Sequence, residues 1–177
     1  MAELDLESLI TDIPDYPQPG VVFKDITTLM RDPRGFATVI DRIADHFLDA
    51  GVTKVMGAEA RGFMIAAPVA YKLGAGFVPA RKPGKLPRET FSQEYDLEYG
   101  TDRLEIHQDA LEADDVVLMV DDLIATGGTA IAQIKLIESV GAKLAGMGFL
   151  MELAFLNPRE ALGQYTDAEL FSLVQVD

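Results

Sequence analysis

No cysteine occurs in the 177 residues, which excludes disulfides, thiol catalysis and zinc–thiolate sites. Histidine is nearly as scarce. His46 and His107 are the only two, too few for a histidine-rich metal site. Positive charge is the third shortage: 15 Lys and Arg stand against 29 Asp and Glu, a formal net charge of −14. Broad nucleic-acid binding needs a positive footprint and is excluded with it. No apolar run approaches the length of a membrane span, and the acidic N-terminus lacks the basic-then-apolar pattern of a secretory signal. A cytoplasmic protein with no membrane partner is therefore expected. The remainder, 49% hydrophobic and 25% charged, is ordinary globular composition, and the length suits one domain spanning residues 1–177.

The most informative stretch runs from Val116 to Thr129. Val116 to Val120 is an unbroken aliphatic run, the pattern of a strand buried on both faces of a parallel sheet. Asp121 and Asp122 end that run. A small-residue loop follows, and helical spacing resumes at Ile131, Ile134, Ile137 and Val140. Strand, acidic pair, glycine turn and helix make half of a βαβ unit, whose ligands sit at the carboxyl ends of the strands. Gly127 and Gly128 carry no Cβ, so backbone N–H groups can close on an anion at a helix N-terminus. Thr126 and Thr129 add hydroxyl donors. Asp121 and Asp122 are poor neighbours for a phosphate but good acceptors for a ribose diol. A lone acidic or glycine pair would be read as a solvated turn; in this order the residues describe a ribose-5-phosphate site. A P-loop is a poor fit, because no Gly-Lys-Ser/Thr follows the glycines.

Elsewhere the chain is read more coarsely. Leu4 to Ile10 has weak helical spacing and is expected as a short helix. Pro14, Pro17 and Pro19-Gly20 break regular structure before an extended Val21-Val22-Phe23, which from spacing alone is a packed surface hairpin. Arg34 to Ala50 is a core-building helix with apolar positions at Phe36, Val39, Ile40, Ile43, Phe47 and Leu48, stopped by Gly51, and His46 lies beside that stripe. Val52 to Gly57 is a strand, and Glu59-Ala60-Arg61-Gly62 turns into a helix over Phe63 to Leu73, again a candidate anion site. Arg61 is equally a surface cation paired with Glu59. Phe77 to Ala80 is a strand leading into a loop that concentrates Arg81, Lys82, Lys85 and Arg88, enough to focus positive potential on a polyanion. Thr90–Gln93 and Leu104-Glu105-Ile106 alternate as hairpin strands around Tyr95-Asp96-Leu97-Glu98-Tyr99-Gly100. Ala142 to Leu153 and Leu170 to Val176 are further strands, with a turn at Asn157-Pro158-Arg159.

The run Val120 to Thr129 resembles the phosphoribosyl-pyrophosphate (PRPP) signature of the type I phosphoribosyltransferases. The Pro-Gly-Val-Val-Phe segment and the Arg-Lys-Pro-Gly-Lys-Leu-Pro run are similar to the adenine phosphoribosyltransferase branch of that family, and the likeness extends from about Ile13 to the last strand. It implies an α/β fold of the type I phosphoribosyltransferase class: a mostly parallel central sheet flanked by helices, a small hood formed mainly by residues 13–28, and a flexible lid hairpin. It implies adenine near Val21, Val22, Lys24 and Leu123; the family pattern has arginine where this chain has Lys24, which keeps the charge but not the planar fork. Asp121 and Asp122 would hold the ribose diol, and Ala125, Thr126, Gly127, Gly128 and Thr129 the 5-phosphate. Glu59, Ala60, Arg61, Gly62, Arg81, Lys82, Lys85 and Tyr99 would surround the pyrophosphate, with Arg81 reaching toward a neighbouring subunit. Glu98 would be the catalytic acid/base at the purine ring nitrogen. Magnesium is expected on PRPP and water, with no dedicated protein ligands, and a homodimer is implied.

The reaction so implied is displacement of pyrophosphate from C1 of PRPP by adenine, giving AMP. Oxocarbenium character builds on the ribose as the C1–O bond breaks. Three other readings share the central signature: a sister enzyme acting on another purine or on orotate, a PRPP-sensing regulator without catalysis, and a general sugar-phosphate module. The hood and lid segments favour adenine; the acidic charge counts against a nucleic-acid-binding regulator, and a general module leaves hood and lid unexplained.

Overall fold

The structure is a computed structural model that describes residues 4–96 and 100–177. Its frame is a five-stranded, wholly parallel sheet in the order β4-β3-β7-β8-β9, comprising β3 (Lys54–Ala58), β4 (Gly76–Ala80), β7 (Val116–Ile124), β8 (Lys143–Leu153) and β9 (Leu170–Val176). Helices α2 (Pro33–His46), α3 (Arg61–Leu73) and α4 (Gly128–Val140) supply the long packed helical surfaces, while α1 (Thr27–Met30) and α5 (Pro158–Leu162) are single turns. Two antiparallel hairpins complete the chain: β1 (Thr11–Pro14) with β2 (Val22–Asp25), and β5 (Thr90–Asp96) with β6 (Thr101–His107).

β7 shows why the sheet is central. Its successive side chains enter opposite layers. Leu118 and Val120 join Val39, Ile43, Ile65 and Val69 of α2 and α3 on one face. Val117 and Met119 join Ile134 and Ile137 of α4, with Leu104 and Ile106 of the β5–β6 hairpin, on the other. Both faces are dry, which is what an aliphatic run without alternation requires, and each fully buried Leu or Ile contributes about 1.5–3 kcal/mol to that closure.

Local signals set most boundaries. Asp32 caps α2 by accepting from Arg34 N at 3.0 Å and Gly35 N at 2.7 Å, with Pro33 in the first turn where its missing N–H costs nothing. The helix stops at His46 rather than Ala50; Leu48–Ala50 tightens into a 3-10 turn that exposes Leu48 and ends at left-handed Gly51. His46 lies at that end, its ring stacked on Phe171 at 3.8 Å and its Nε2 3.0 Å from Glu169 Oε1. The helix expected over Leu4 to Ile10 is reduced to a 3-10 turn at Glu7–Leu9, because so short a segment cannot offset helix nucleation and Thr11 is drawn into pairing with Asp25. β7 also runs on through Asp121 and Asp122 to Ile124, so the acidic pair lies inside the strand and does not end it. No helix among the described residues is long and apolar enough to cross a membrane.

Candidate active site

β3 and β7 lie side by side and deliver their carboxyl ends to one opening, a cavity of about 360 Å³. Its wall brings together Glu59, Ala60 and Arg61 from the end of β3, Asp121 to Thr129 from the end of β7, and Lys82 from the basic loop. Groups separated by some 60 residues in sequence thus meet because their strands are neighbours.

The glycine turn is built as an anion cradle. Gly127 sits at φ 91°, a left-handed geometry that a side chain resists, and no side chain caps the α4 N-terminus that follows. The first-turn amides therefore face the cavity unspent. Gly128 is needed for a different reason. A Cβ there would lie 2.8 Å from the carbonyl oxygen of Asp96, where β5 packs against the turn.

The acidic pair is two unlike groups. Asp121 is buried, its Oδ1 accepts the Asp122 amide at 2.9 Å, and the Gly62 backbone closes over it so tightly that a Cβ would sit 2.6 Å from that oxygen. Burial, then the charge of Asp122, pushes the Asp121 carboxyl well above the usual carboxylate range. Asp122 instead receives Arg61, with Nε 2.7 Å from Oδ2. Arg61 thus pairs with Asp122 and not with Glu59, and its guanidinium also stands 6.0 Å from the centre of the Phe23 ring. Glu59 takes Arg81 (Nε to Oε2, 3.0 Å) and the Lys82 amide (2.9 Å), contacts that hold its carboxyl below the usual value against the opposing effect of burial. The Glu59–Ala60 peptide is cis.

The basic loop is less open than its composition implies. Arg81 is stitched by two backbone hydrogen bonds to Glu105 on β6, Lys82 Nζ lies 3.0 Å from Asp102 Oδ2, and Arg88 pairs with Asp109. Lys85 makes no ion pair among the described residues; its carbonyl accepts from Arg81 Nη1 at 3.3 Å. Only Lys82 of these cations lines the cavity. Glu98 and Tyr99 lie outside the described residues, between β5 and β6.

In the hood, period-2 alternation separates the expected base-side residues. Val22 and Lys24 share one face of β2; Val22 is exposed, and Lys24 turns to Asp12, 2.7 Å from Oδ1, beside a separate small cavity. Phe23 points the other way, toward Arg61, with Tyr16 edge-on at 5.3 Å. Of the four residues expected near a base, Leu123 lines the main cavity while Val21, Val22 and Lys24 do not. Phe23 was not singled out, although strand alternation was the signal that could have found it. Tyr95 and Asp102 stand in the cavity wall, and no local sequence pattern singles out either of them. Among the described residues no three His, Asp, Glu or Cys side chains are grouped to hold a metal.

Comparison with known proteins follows the same outline. The phosphoribosyl transferase domain family matches residues 25–168. The adenine phosphoribosyltransferase of Solidesulfovibrio magneticus is 56% identical over 162 residues, covering 92% of this chain and 95% of that protein. The crystal structure of adenine phosphoribosyltransferase from Thermoanaerobacter pseudethanolicus matches with a TM-score of 0.91 and 47% identity, covering 97% of this chain and 98% of that one. The enzyme of Giardia lamblia, complexed with 9-deazaadenine, gives a TM-score of 0.91 at 38% identity over 98% and 97% of the two chains.

Proposed function

The chain belongs to the adenine phosphoribosyltransferases, which transfer the 5-phosphoribosyl group of PRPP to adenine with release of AMP and pyrophosphate, and we propose how its cavity divides that work. The observation that carries the proposal is the meeting of three unlike subsites in one opening. An amide cradle at Ala125–Thr129, an acidic pair at Asp121 and Asp122, and a cationic wall from Arg61 and Lys82 face the same space. That sequence of chemistries matches phosphate, diol and diphosphate along one PRPP molecule.

The cradle fixes the 5-phosphate, which contributes positioning rather than bond-making. Asp121 and Asp122 take the ribose hydroxyls, and Asp122 puts negative charge beside the cation that develops at C1. Arg61 ties Asp122 to the pyrophosphate loop and keeps the Phe23 ring beside the site, a flat apolar surface on which a purine can stack. Adenine N9 forms the new bond to C1 as the C1–O bond breaks and pyrophosphate departs. Glu98 accepts or carries the proton of the purine ring nitrogen. The family works with magnesium on PRPP. The donor set here fits an ion held chiefly by PRPP oxygens and water, since Asp122 is already paired with Arg61, and it would neutralise charge on the leaving pyrophosphate.

A homodimer belongs to the same proposal. Strand β4 is an edge of the five-stranded sheet, and α3 leaves Met64 and Tyr71 exposed, Tyr71 at 89%. An apolar edge of this kind fits a second copy of the chain, and Arg81 follows β4 directly. A cytoplasmic location goes with the substrates, because a multiply charged sugar phosphate does not cross a membrane unaided. Calorimetry with PRPP, ribose 5-phosphate and pyrophosphate tests the subsites. PRPP should bind far more tightly than either fragment, because one molecule bridges both anion sites. PRPP binding no tighter than ribose 5-phosphate would remove the pyrophosphate subsite.

A further inference from the structure

Resting on the reading that Lys82 meets the pyrophosphate, we propose that Asp102 is a positioning residue for that lysine. It holds Lys82 while the cavity is empty and releases it to the pyrophosphate, so it sets affinity for one end of PRPP and not for the other.

Three polar side chains in the cavity wall form one connected line. Lys82 Nζ lies 3.0 Å from Asp102 Oδ2, and the same oxygen accepts the Tyr95 hydroxyl at 3.3 Å. All three border the opening that the phosphate cradle also faces. The line therefore ties the lysine assigned to the pyrophosphate end of PRPP to the hairpin.

Its members are not equally free to move. Asp102 faces Tyr95 directly across the β5–β6 hairpin, and its Oδ1 accepts the Arg103 amide at 2.8 Å. Tyr95 is packed into the core that includes Leu104 and Ile106. The carboxylate is thus held from two sides by the hairpin. Lys82 belongs to the loop after β4 and is exposed, with four rotatable carbons. When a polyanion arrives, the ammonium can follow it and the carboxylate cannot. The arrangement is electrostatically self-consistent: the Arg103 amide and then Lys82 hold the Asp102 carboxyl below its usual range, and Asp102 raises the Lys82 ammonium above its own.

Two consequences follow. Pyrophosphate must compete with Asp102 for Lys82, so part of the attraction is spent on separating an existing pair. After transfer, Asp102 reclaims the lysine and favours departure of the pyrophosphate product. A monophosphate ligand held only by the cradle never reaches Lys82 and is indifferent to Asp102. The asparagine substitution at 102 is the cleanest probe: it keeps the shape and an acceptor oxygen for Tyr95 while discarding the charge.

The experiment is calorimetric titration of inorganic pyrophosphate with magnesium, and separately of AMP, into wild type, Asp102→Asn, Lys82→Met and the double variant. Asp102→Asn should bind pyrophosphate about two- to fivefold more tightly, Lys82→Met more weakly, and the first effect should vanish in the Lys82→Met background, with AMP moving by less than about twofold throughout. In turnover, KM for PRPP should fall in Asp102→Asn without a rise in kcat. Unchanged pyrophosphate affinity in Asp102→Asn overturns the proposal. So does tightening that persists without Lys82, which would report a general field, or loss of AMP binding, which would make Asp102 part of the cavity's scaffold. If Lys82→Met itself leaves pyrophosphate affinity intact, the assignment of Lys82 fails first and the role of Asp102 falls with it.

Discussion

Gly62→Ala sets two effects of known sign against each other. Gly62 is the second residue of α3 and needs no left-handed geometry, so alanine alone should gain up to about 1 kcal/mol of helix propensity. Its Cβ, however, would land 2.6 Å from Asp121 Oδ1 and 3.0 Å from Cγ. Asp121 cannot retreat, because it is buried and that Oδ1 holds the Asp122 amide at 2.9 Å. Overpacking of this kind costs about 1–3 kcal/mol. The balance is a net loss of about 1 kcal/mol, or a fall in Tm of about 2–4 °C for a chain of this size, compared at equal protein concentration. Activity should fall further than stability, since displacing a group that orients the sugar by about 1 Å costs up to about 100-fold in rate. Thermal melts and initial rates with PRPP read both. Adding Asp121→Ser should restore the melting temperature without restoring turnover, which separates the clash from the chemistry. A raised Tm with wild-type kinetics would show that Asp121 is free to move and is not held for the ribose.

Further expectations concern proton, base and assembly. Burial, then the charge of Asp122, raises the Asp121 carboxyl of the folded chain well above the usual carboxylate range, so the native chain keeps a proton that the unfolded chain releases. The stability linked to it is complete below the unfolded value and is lost as pH rises through the folded one. Asp121→Asn should therefore gain stability relative to wild type in urea melts as pH rises from the ordinary carboxylate range, and a constant difference would contradict the raised carboxyl. Glu98→Gln should lower kcat by about 100-fold or more with little change in PRPP affinity, because it removes proton transfer and leaves the cradle intact; wild-type turnover would end that assignment. Tyr71→Glu should shift the chain toward a monomer in sedimentation at fixed concentration, and an unaltered dimer would move the interface elsewhere.

The parts of the site that were legible in the sequence are those carried by contiguous residues. Val116 to Val140 places strand, glycine turn and helix in fixed local order, and the structure builds them in that order with the acidic pair inside the strand. Partners chosen by the fold were not legible. Arg61 and Asp122 are joined because β3 and β7 are neighbouring strands, and no local pattern ranks Asp122 above the nearby Glu59. Tyr95 and Asp102 acquire their place in the wall only when the hairpin is laid over α4, which turns one face inward. The hood was partly legible: the extended reading of Val21-Val22-Phe23 holds from Val22 onward, and alternation then sends Phe23 toward Arg61 and Lys24 toward Asp12. The extension of β7 through Asp121 is not legible because a carboxyl inside a strand is costly unless neutralised or bonded, and the burial that raises the Asp121 carboxyl is set by tertiary packing.

The central claim is one cavity that joins PRPP to adenine. Its most direct test is pyrophosphate release from PRPP and magnesium with adenine, hypoxanthine, guanine, xanthine and orotate offered separately. Release with adenine alone, with AMP as the other product, is the predicted result. Release with another base and not with adenine, or PRPP binding with no release for any base, would contradict it.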